Sequence, residues 1–263
     1  MSAELAVLGA GSILPRVDHG PAGYALRPGP GAPVTLLDCG PGSLRALARV
    51  GVAIGEVQRV VFSHYHLDHC LDLLALFFAR RNPRLGTLPP LFLHGPPGLR
   101  RLVERAPEVF GAGAVDPDCR VQEVEPGSGF AGDGMEFLCA PTGHTESPPS
   151  VAWRVALPDG ASLTYTGDTG EVEAVAVLAA GTDTLLAECS FPDGEGEPQH
   201  LTPAGAARLA RAAGAGVLVL THFYPAIDPA AARAAAARVF LGPVAAARDG
   251  TVFSIGRMPR RGT

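Results

Sequence analysis

The sequence predicts an α/β fold in four layers, an αββα sandwich with two mixed β-sheets inside and helices on both outer faces. Three observations lead there. Short apolar runs alternate with Ala/Leu/Arg-rich segments of helical period along all 263 residues. Several strand-like runs follow one another between residues 135 and 165, which breaks the strict βα alternation of a single parallel sheet. No internal repeat or long linker divides the chain, so residues 1–263 read as one domain.

In chain order, the β-rich runs predict strands over Leu5–Leu8, Val34–Leu37, Val60–Phe62, Leu91–Leu93, Met135–Cys139, Val151–Val155, Leu163–Tyr165, Thr184–Leu186, Val217–Leu220 and Val252–Ile255. Helical periodicity predicts helices over Ser43–Val50, Leu71–Arg81, Gly98–Val109, Val172–Ala180, Pro203–Ala213 and Pro229–Phe240. The fifth helix is the best signalled: Thr202 can cap it, Pro203 suits its first turn, and Gly214 can end it. The Gly- and Pro-rich stretch 111–134 reads as loop.

Composition excludes several classes. A hydrophobic content of 47% and a charged content of 18% describe a globular chain. All 21 basic residues are arginine, and the net charge of −5 argues against a broadly basic nucleic-acid-binding surface. The local clusters Arg80, Arg81, Arg84 and Arg100, Arg101, Arg105 read as solvated helix faces. Five widely spaced cysteines without a C-x-x-C pair predict neither a disulfide framework nor a zinc knuckle. No apolar run reaches membrane-spanning length and no signal peptide is visible, so a cytoplasmic location is expected.

The chemistry concentrates in "SHYHLDHCLDL", residues 63–73. If the preceding strand stays extended past Ser63, side chains two apart point the same way, so His64 and His66 can share one ion. Where the chain turns into the Leu71 helix, Asp68 and His69 point elsewhere and can hold a second. Three further ligand-type residues follow apolar runs: His144 in "APTGHTES", Asp168 in "YTGDTG" and His222 in "LVLTHF". Taken singly, His144 could cap a turn and Asp168 could make an Asp-Thr turn. With the first cluster they form a coherent set, in which His64, His66 and His144 hold one ion, Asp68, His69 and His222 the other, and Asp168 bridges them. Imidazole and carboxylate without thiolate suit zinc, with manganese or iron as alternatives. Two such ions about 3.5–4 Å apart turn water into hydroxide near neutral pH and neutralise a developing oxyanion, which implies hydrolysis.

With these residues in view, the chain resembles the metallo-β-lactamase superfamily, whose fold is the αββα sandwich, and within it the ribonuclease Z branch. The "VLGAGSILP" start, "LLDCGPGSLRAL", "LLAECSF" and "HLTPAGAARLARAAGAGVLVLTHF" are similar to that branch's L-G-T-G-S/A-x-x-P, D-C-G-E-G-T, H-E-A-T-F and H-S-T…L-T-H-F elements. The resemblance implies the metal roles above, makes Asp68 a proton acceptor as well as a ligand, and makes Glu188 and His200 a catalytic pair serving the leaving group. There are departures. H-x-H-G-D-H reads H-Y-H-L-D-H, Ala187 stands in place of the first histidine of H-E-A-T-F, and the short stretch from His144 to Asp168 leaves no room for a tRNA-gripping arm.

The expected function is therefore a dinuclear metal-dependent phosphodiesterase acting on a small or short single-stranded nucleic-acid phosphodiester. Ester, thioester or lactone hydrolysis on the same metals is the alternative. An armless, lysine-free, acidic chain should bind tRNA weakly, because phosphate contacts supply most nonspecific affinity. Related enzymes are often homodimers, and an apolar surface around the first helices would suit one.

Overall fold

The computed structural model describes residues 2–257. Its strands are β1 (Ala3–Gly9), β2 (Gly23–Arg27), β3 (Val34–Cys39), β4 (Val57–Val61), β5 (Leu91–Gly95), β6 (Cys119–Glu123), β7 (Gly129–Gly132), β8 (Met135–Glu146), β9 (Pro149–Ala156), β10 (Ser162–Tyr165), β11 (Thr184–Glu188), β12 (Val217–Thr221), β13 (Val244–Ala246) and β14 (Val252–Ile255). Its helices are α1 (Ser43–Arg49), α2 (Leu67–Cys70), α3 (Asp72–Arg80), α4 (Leu99–Phe110), α5 (Glu173–Leu178), α6 (Pro203–Ala213) and α7 (Pro229–Ala236). The strands form two seven-stranded mixed sheets, ordered β14-β1-β2-β3-β4-β5-β6 and β13-β12-β11-β10-β9-β8-β7. In the first, β3 to β6 run parallel; in the second, β10 to β13 do.

Side-chain alternation along the central strands builds the four layers. Leu37 and Val61 of the first sheet meet Leu186 and Val219 of the second in a core between the sheets, with Tyr24, Phe137, Trp153 and Tyr165. Their neighbours face outwards. Leu36 and Val60 pack on Leu47, Leu76, Phe77 and Leu99 of α1, α3 and α4. Leu185, Ala187, Leu218 and Leu220 pack on Val175, Ala206, Leu209 and Ala232 of α5, α6 and α7. Each helix thus covers a strand face that would otherwise be wet, as the expected αββα order requires.

Several expectations need correction. The stretch 111–134 is not all loop, since it carries β6 and β7; β6 is a sheet edge with exposed Arg120 and Gln122, and β7 is a short strand bounded by Gly129 and Gly132. Edge strands need only one buried face, so they lack the apolar run that marks a central strand. The helix expected from Leu71 begins four residues earlier as α2, placing Asp68 and His69 on a helical turn. The expected strand ending at Cys139 continues to Glu146, so His144 lies within β8 rather than beyond it. Arg80 is not on a solvated face. It is buried, donating to the Asp116 carboxylate (2.6 Å), the Val57 carbonyl (3.0 Å) and the Pro89 carbonyl, and so ties α3 to the loops around it.

Thr202 accepts a hydrogen bond from the Gly205 N–H at 3.2 Å and Gly214 adopts the left-handed conformation, so both ends of α6 behave as their sequence signals require. Leu67 of α2, Leu71 between α2 and α3, and Phe78 of α3 are 59%, 42% and 74% exposed, an apolar surface left uncovered. No helix among the described residues is long and apolar enough to cross a membrane.

Candidate metal centre

One rim of the sandwich gathers the side chains singled out in the sequence. His64 follows β4, Asp68 and His69 ride on α2, His144 sits near the end of β8, Asp168 follows β10, Glu188 ends β11, and His222 follows β12. The last turns of these strands need backbone conformations that ordinary residues avoid. Gly167 has φ +57°, and a Cβ there would lie 2.6 Å from the Ser63 Cβ, so glycine alone lets Asp168 approach. Asp38 and His222 hold φ values of +55° and +57° without being glycine, a strain that clusters at functional sites.

The side chains converge in two groups. His64, His66, His144 and Asp168 offer ligand atoms within 4.8 Å of one another, and so do Asp68, His69 and His222. Asp168 faces both. Its Oδ2 lies 3.7 Å from His144 Nε2 and 4.0 Å from His64 Nε2, while its Oδ1 lies 3.4 Å from His69 Nε2 and 3.5 Å from His222 Nε2. His222 Nε2 is also 3.5 Å from Asp68 Oδ2.

Hydrogen bonds behind the cluster fix which nitrogen of each ring faces inwards. His64 Nδ1 donates to Ser63 Oγ (3.0 Å), which donates in turn to Asp38 Oδ2 (2.6 Å). His69 Nδ1 donates to the same Asp38 oxygen (2.8 Å), as does the Tyr165 hydroxyl (2.7 Å). His144 Nδ1 donates to the Gln199 carbonyl (3.3 Å) and His222 Nδ1 to Ser190 Oγ (3.0 Å). Each turns its Nε2 into the site; His66 instead presents Nδ1, 3.2 Å from His144 Nε2. His69 Nε2 and His222 Nε2 stand 3.3 Å apart.

This arrangement fits cations. Burial would lower the His69 pKa, but the Asp168 and Asp38 carboxylates raise it well above the ordinary value, so the site draws positive charge to that ring. His64 Nε2 and Asp168 Oδ1 are buried without a hydrogen-bond partner, a costly state that a cation relieves. Burial, reinforced by neighbouring imidazoles, holds the His64 pKa well below the ordinary value, and burial pushes that of His144 down to about 4, so both rings are neutral. Burial alone would raise the Asp168 pKa, but His222 and His69 hold it well below the carboxylate range, so it is anionic. Neutral imidazole and ionised carboxylate are the forms that bind metal.

Beside the two groups, His200 Nδ1 faces the Glu188 carboxylate at 3.1 and 3.2 Å. That carboxylate also accepts from the Thr169 N–H (2.6 Å) and the Ser190 hydroxyl (2.5 Å). Burial by itself lowers the His200 pKa, but the Glu188 charge outweighs it and raises the value. His200 also lies close enough to Asp168 and His222 for an ion to reach all three, an arrangement its sequence context did not suggest.

Two hubs escaped the sequence reading. Asp38 receives Ser63, His69 and Tyr165, and Ser190 links Glu188 to His222. The signal for Asp38 was a carboxylate directly after the apolar run Val34–Leu37; it proves fully buried, which only a dense set of donors permits.

Comparison with known proteins agrees with this geometry. The β-lactamase superfamily domain matches residues 35–223. Ribonuclease Z of Mycobacterium bovis is 32% identical over 94% of this chain and 96% of its own length. The metallo-β-lactamase-fold protein YhfI of Bacillus subtilis superposes with a TM-score of 0.85 at 25% identity, covering 97% of this chain and all of that one. The short form of human tRNase Z shares the fold, with a TM-score of 0.77 at 24% identity over 97% of this chain and all of its own. The chain belongs to the metallo-β-lactamase superfamily, as a metal-dependent hydrolase of ribonuclease Z type.

Proposed function

We propose that the protein is a dinuclear, zinc-dependent phosphodiesterase acting on a small or single-stranded phosphodiester, with residues 1–263 as one catalytic unit in the cytoplasm. The observation that carries the reading is Asp168, whose two oxygens face two separate groups of ligand atoms. In this assignment His64, His66 and His144 would hold one ion and Asp68, His69 and His222 the other, with Asp168 serving both groups. Divalent ions bound there would supply Lewis-acid activation and neutralise developing negative charge.

The chain's own residues do the rest. Asp38 and Ser190 hold the rings of His64, His69 and His222 in one orientation, so the inward atoms need no rearrangement when substrate arrives. Asp68, whose Oδ2 lies 3.5 Å from His222 Nε2, would accept a proton as well as ligate. Glu188 fixes the His200 ring and favours its protonated form, so His200 can give a proton to a departing alkoxide.

The short path from His144 to Asp168 supports a small substrate. β8 and β9 join through Ser147 and Pro148, and a turn over residues 157–161 leads to β10, so no arm is inserted there. Weak tRNA binding follows from that and from the acidic charge. The uncovered Leu67, Leu71 and Phe78 surface supports association as a homodimer.

A hydrolysis panel on zinc-reconstituted protein tests the proposal. Bis-p-nitrophenyl phosphate and short RNAs should be cleaved. Lactones and thioesters should be cleaved slowly or not at all, and precursor tRNA should bind weakly at physiological salt. Preference for a lactone or thioester would refute phosphodiester chemistry, and efficient, site-specific cleavage of precursor tRNA would refute the small-substrate reading.

A further inference from the structure

The leaving-group side of the site carries an aromatic wall that the metal and proton-transfer roles do not use. Phe191 follows Glu188 by three residues and Tyr224 follows His222 by two, so both leave the rim beside residues of the site. Their rings stack, with centroids 5.0 Å apart and planes 28° from parallel. Phe191 presents its edge to His200 at 5.5 Å, and Tyr224 lies 6.1 Å from His200 and 5.7 Å from His222. Both rings remain partly exposed, unlike Tyr24 and Tyr165, which are sealed in the core.

The wall is braced. Gly11 bridges to Phe223, and the Arg16 guanidinium donates to the carbonyls of Tyr224 (3.5 Å) and Ile227 (3.1 Å), fastening the 11–16 segment against the chain that carries Tyr224. That segment leaves Ile13 and Leu14 about half exposed. Packed on each other and against the site's histidines, the two half-buried rings keep part of their apolar surface in contact with water, and a planar group entering from solvent would cover it.

We propose that Phe191 and Tyr224 are specificity-determining residues that bind a nucleobase of the substrate by stacking. The inference rests on the phosphodiesterase reading and names the substrate class as a nucleotide ester. A phosphoryl group at the metal centre with its departing oxygen at His200 places the attached nucleoside towards the aromatic pair. Flat, rigid rings accept any base face without hydrogen-bond readout, so the preference is for a base over none, with little regard to which base.

Calorimetric titration of the zinc-loaded protein with adenosine 5′-monophosphate and with ribose 5-phosphate isolates the base, because the two ligands share phosphate and sugar. The nucleotide should bind at least about tenfold tighter, the scale of one base on one aromatic ring. Phe191→Leu and Tyr224→Leu should each remove most of that advantage while leaving ribose 5-phosphate affinity unchanged; Tyr224→Phe, which keeps the ring, should retain it. Equal affinity for the two ligands in the wild type, no detectable binding of the nucleotide, or an advantage that survives both leucine substitutions would overturn the proposal. Titration needs no turnover, so failure to cleave any phosphodiester would refute the proposed reaction and leave the base preference to be read independently.

Discussion

Asp168→Ala is expected to give a folded protein that retains at most one ion and hydrolyses every substrate at least about a thousandfold more slowly, the rate equivalent of several kcal/mol of lost charge stabilisation. Among the described residues Asp168 is the only side chain whose oxygens face both groups of ligand atoms, and its loss removes a negative charge shared by four imidazoles. It follows β10 outside the apolar layers, so the fold should persist. The metal-free proteins should also differ with pH. The Asp168 pKa is depressed in the folded state, so its ionised form stabilises the fold above the unfolded value, and that contribution is lost as pH falls through the folded value. Urea midpoints of the metal-free wild type and variant should therefore differ at neutral pH and converge in acid. A variant that keeps two ions with near wild-type activity would remove Asp168 from its assigned role.

The second large effect concerns His200. His200→Ala should retain both ions and slow substrates with alkoxide leaving groups by about 10²–10⁴-fold, the usual contribution of general acid catalysis. An ester with a nitrophenolate leaving group should suffer far less, because that group departs unprotonated. The raised His200 pKa sets the sign of the pH dependence: the acid form dominates at low pH, and rates on alkoxide esters fall as pH rises through the folded value. Glu188→Gln removes the charge that raises it, so the fall should move to lower pH. Loss of an ion from His200→Ala would instead make it a ligand, as its proximity to Asp168 and His222 permits. Equal losses on both ester types would exclude proton transfer.

What was readable in the sequence followed from local pattern. The central strands declared themselves because strands buried on both faces become continuous apolar runs, and the residues just past them were natural places for polar groups. His64, Asp168 and His222 fell in such positions. His144 did not, because β8 continues as a hairpin arm beyond the apolar stretch, with Gly143 at φ +69° just before the histidine. β2, β7 and β13 were missed because they are short and hold glycine or alanine where a strand signal needs branched or aromatic residues. Asp38 and Ser190 act through partners 25 to 127 residues away, or through a carboxylate two residues off and an imidazole thirty-two off. No local window displays such pairings; folding creates them. Arg80 looked solvated for the same reason, since Asp116 lies 36 residues beyond it.

The central claim is that one chain holds two ions through Asp168. Elemental analysis of protein purified without chelator, and again after chelation and soaking in zinc, measures it directly. Two equivalents of divalent metal per chain, removed by chelation and restored together with activity, is the expected result. One equivalent or none after soaking would contradict it.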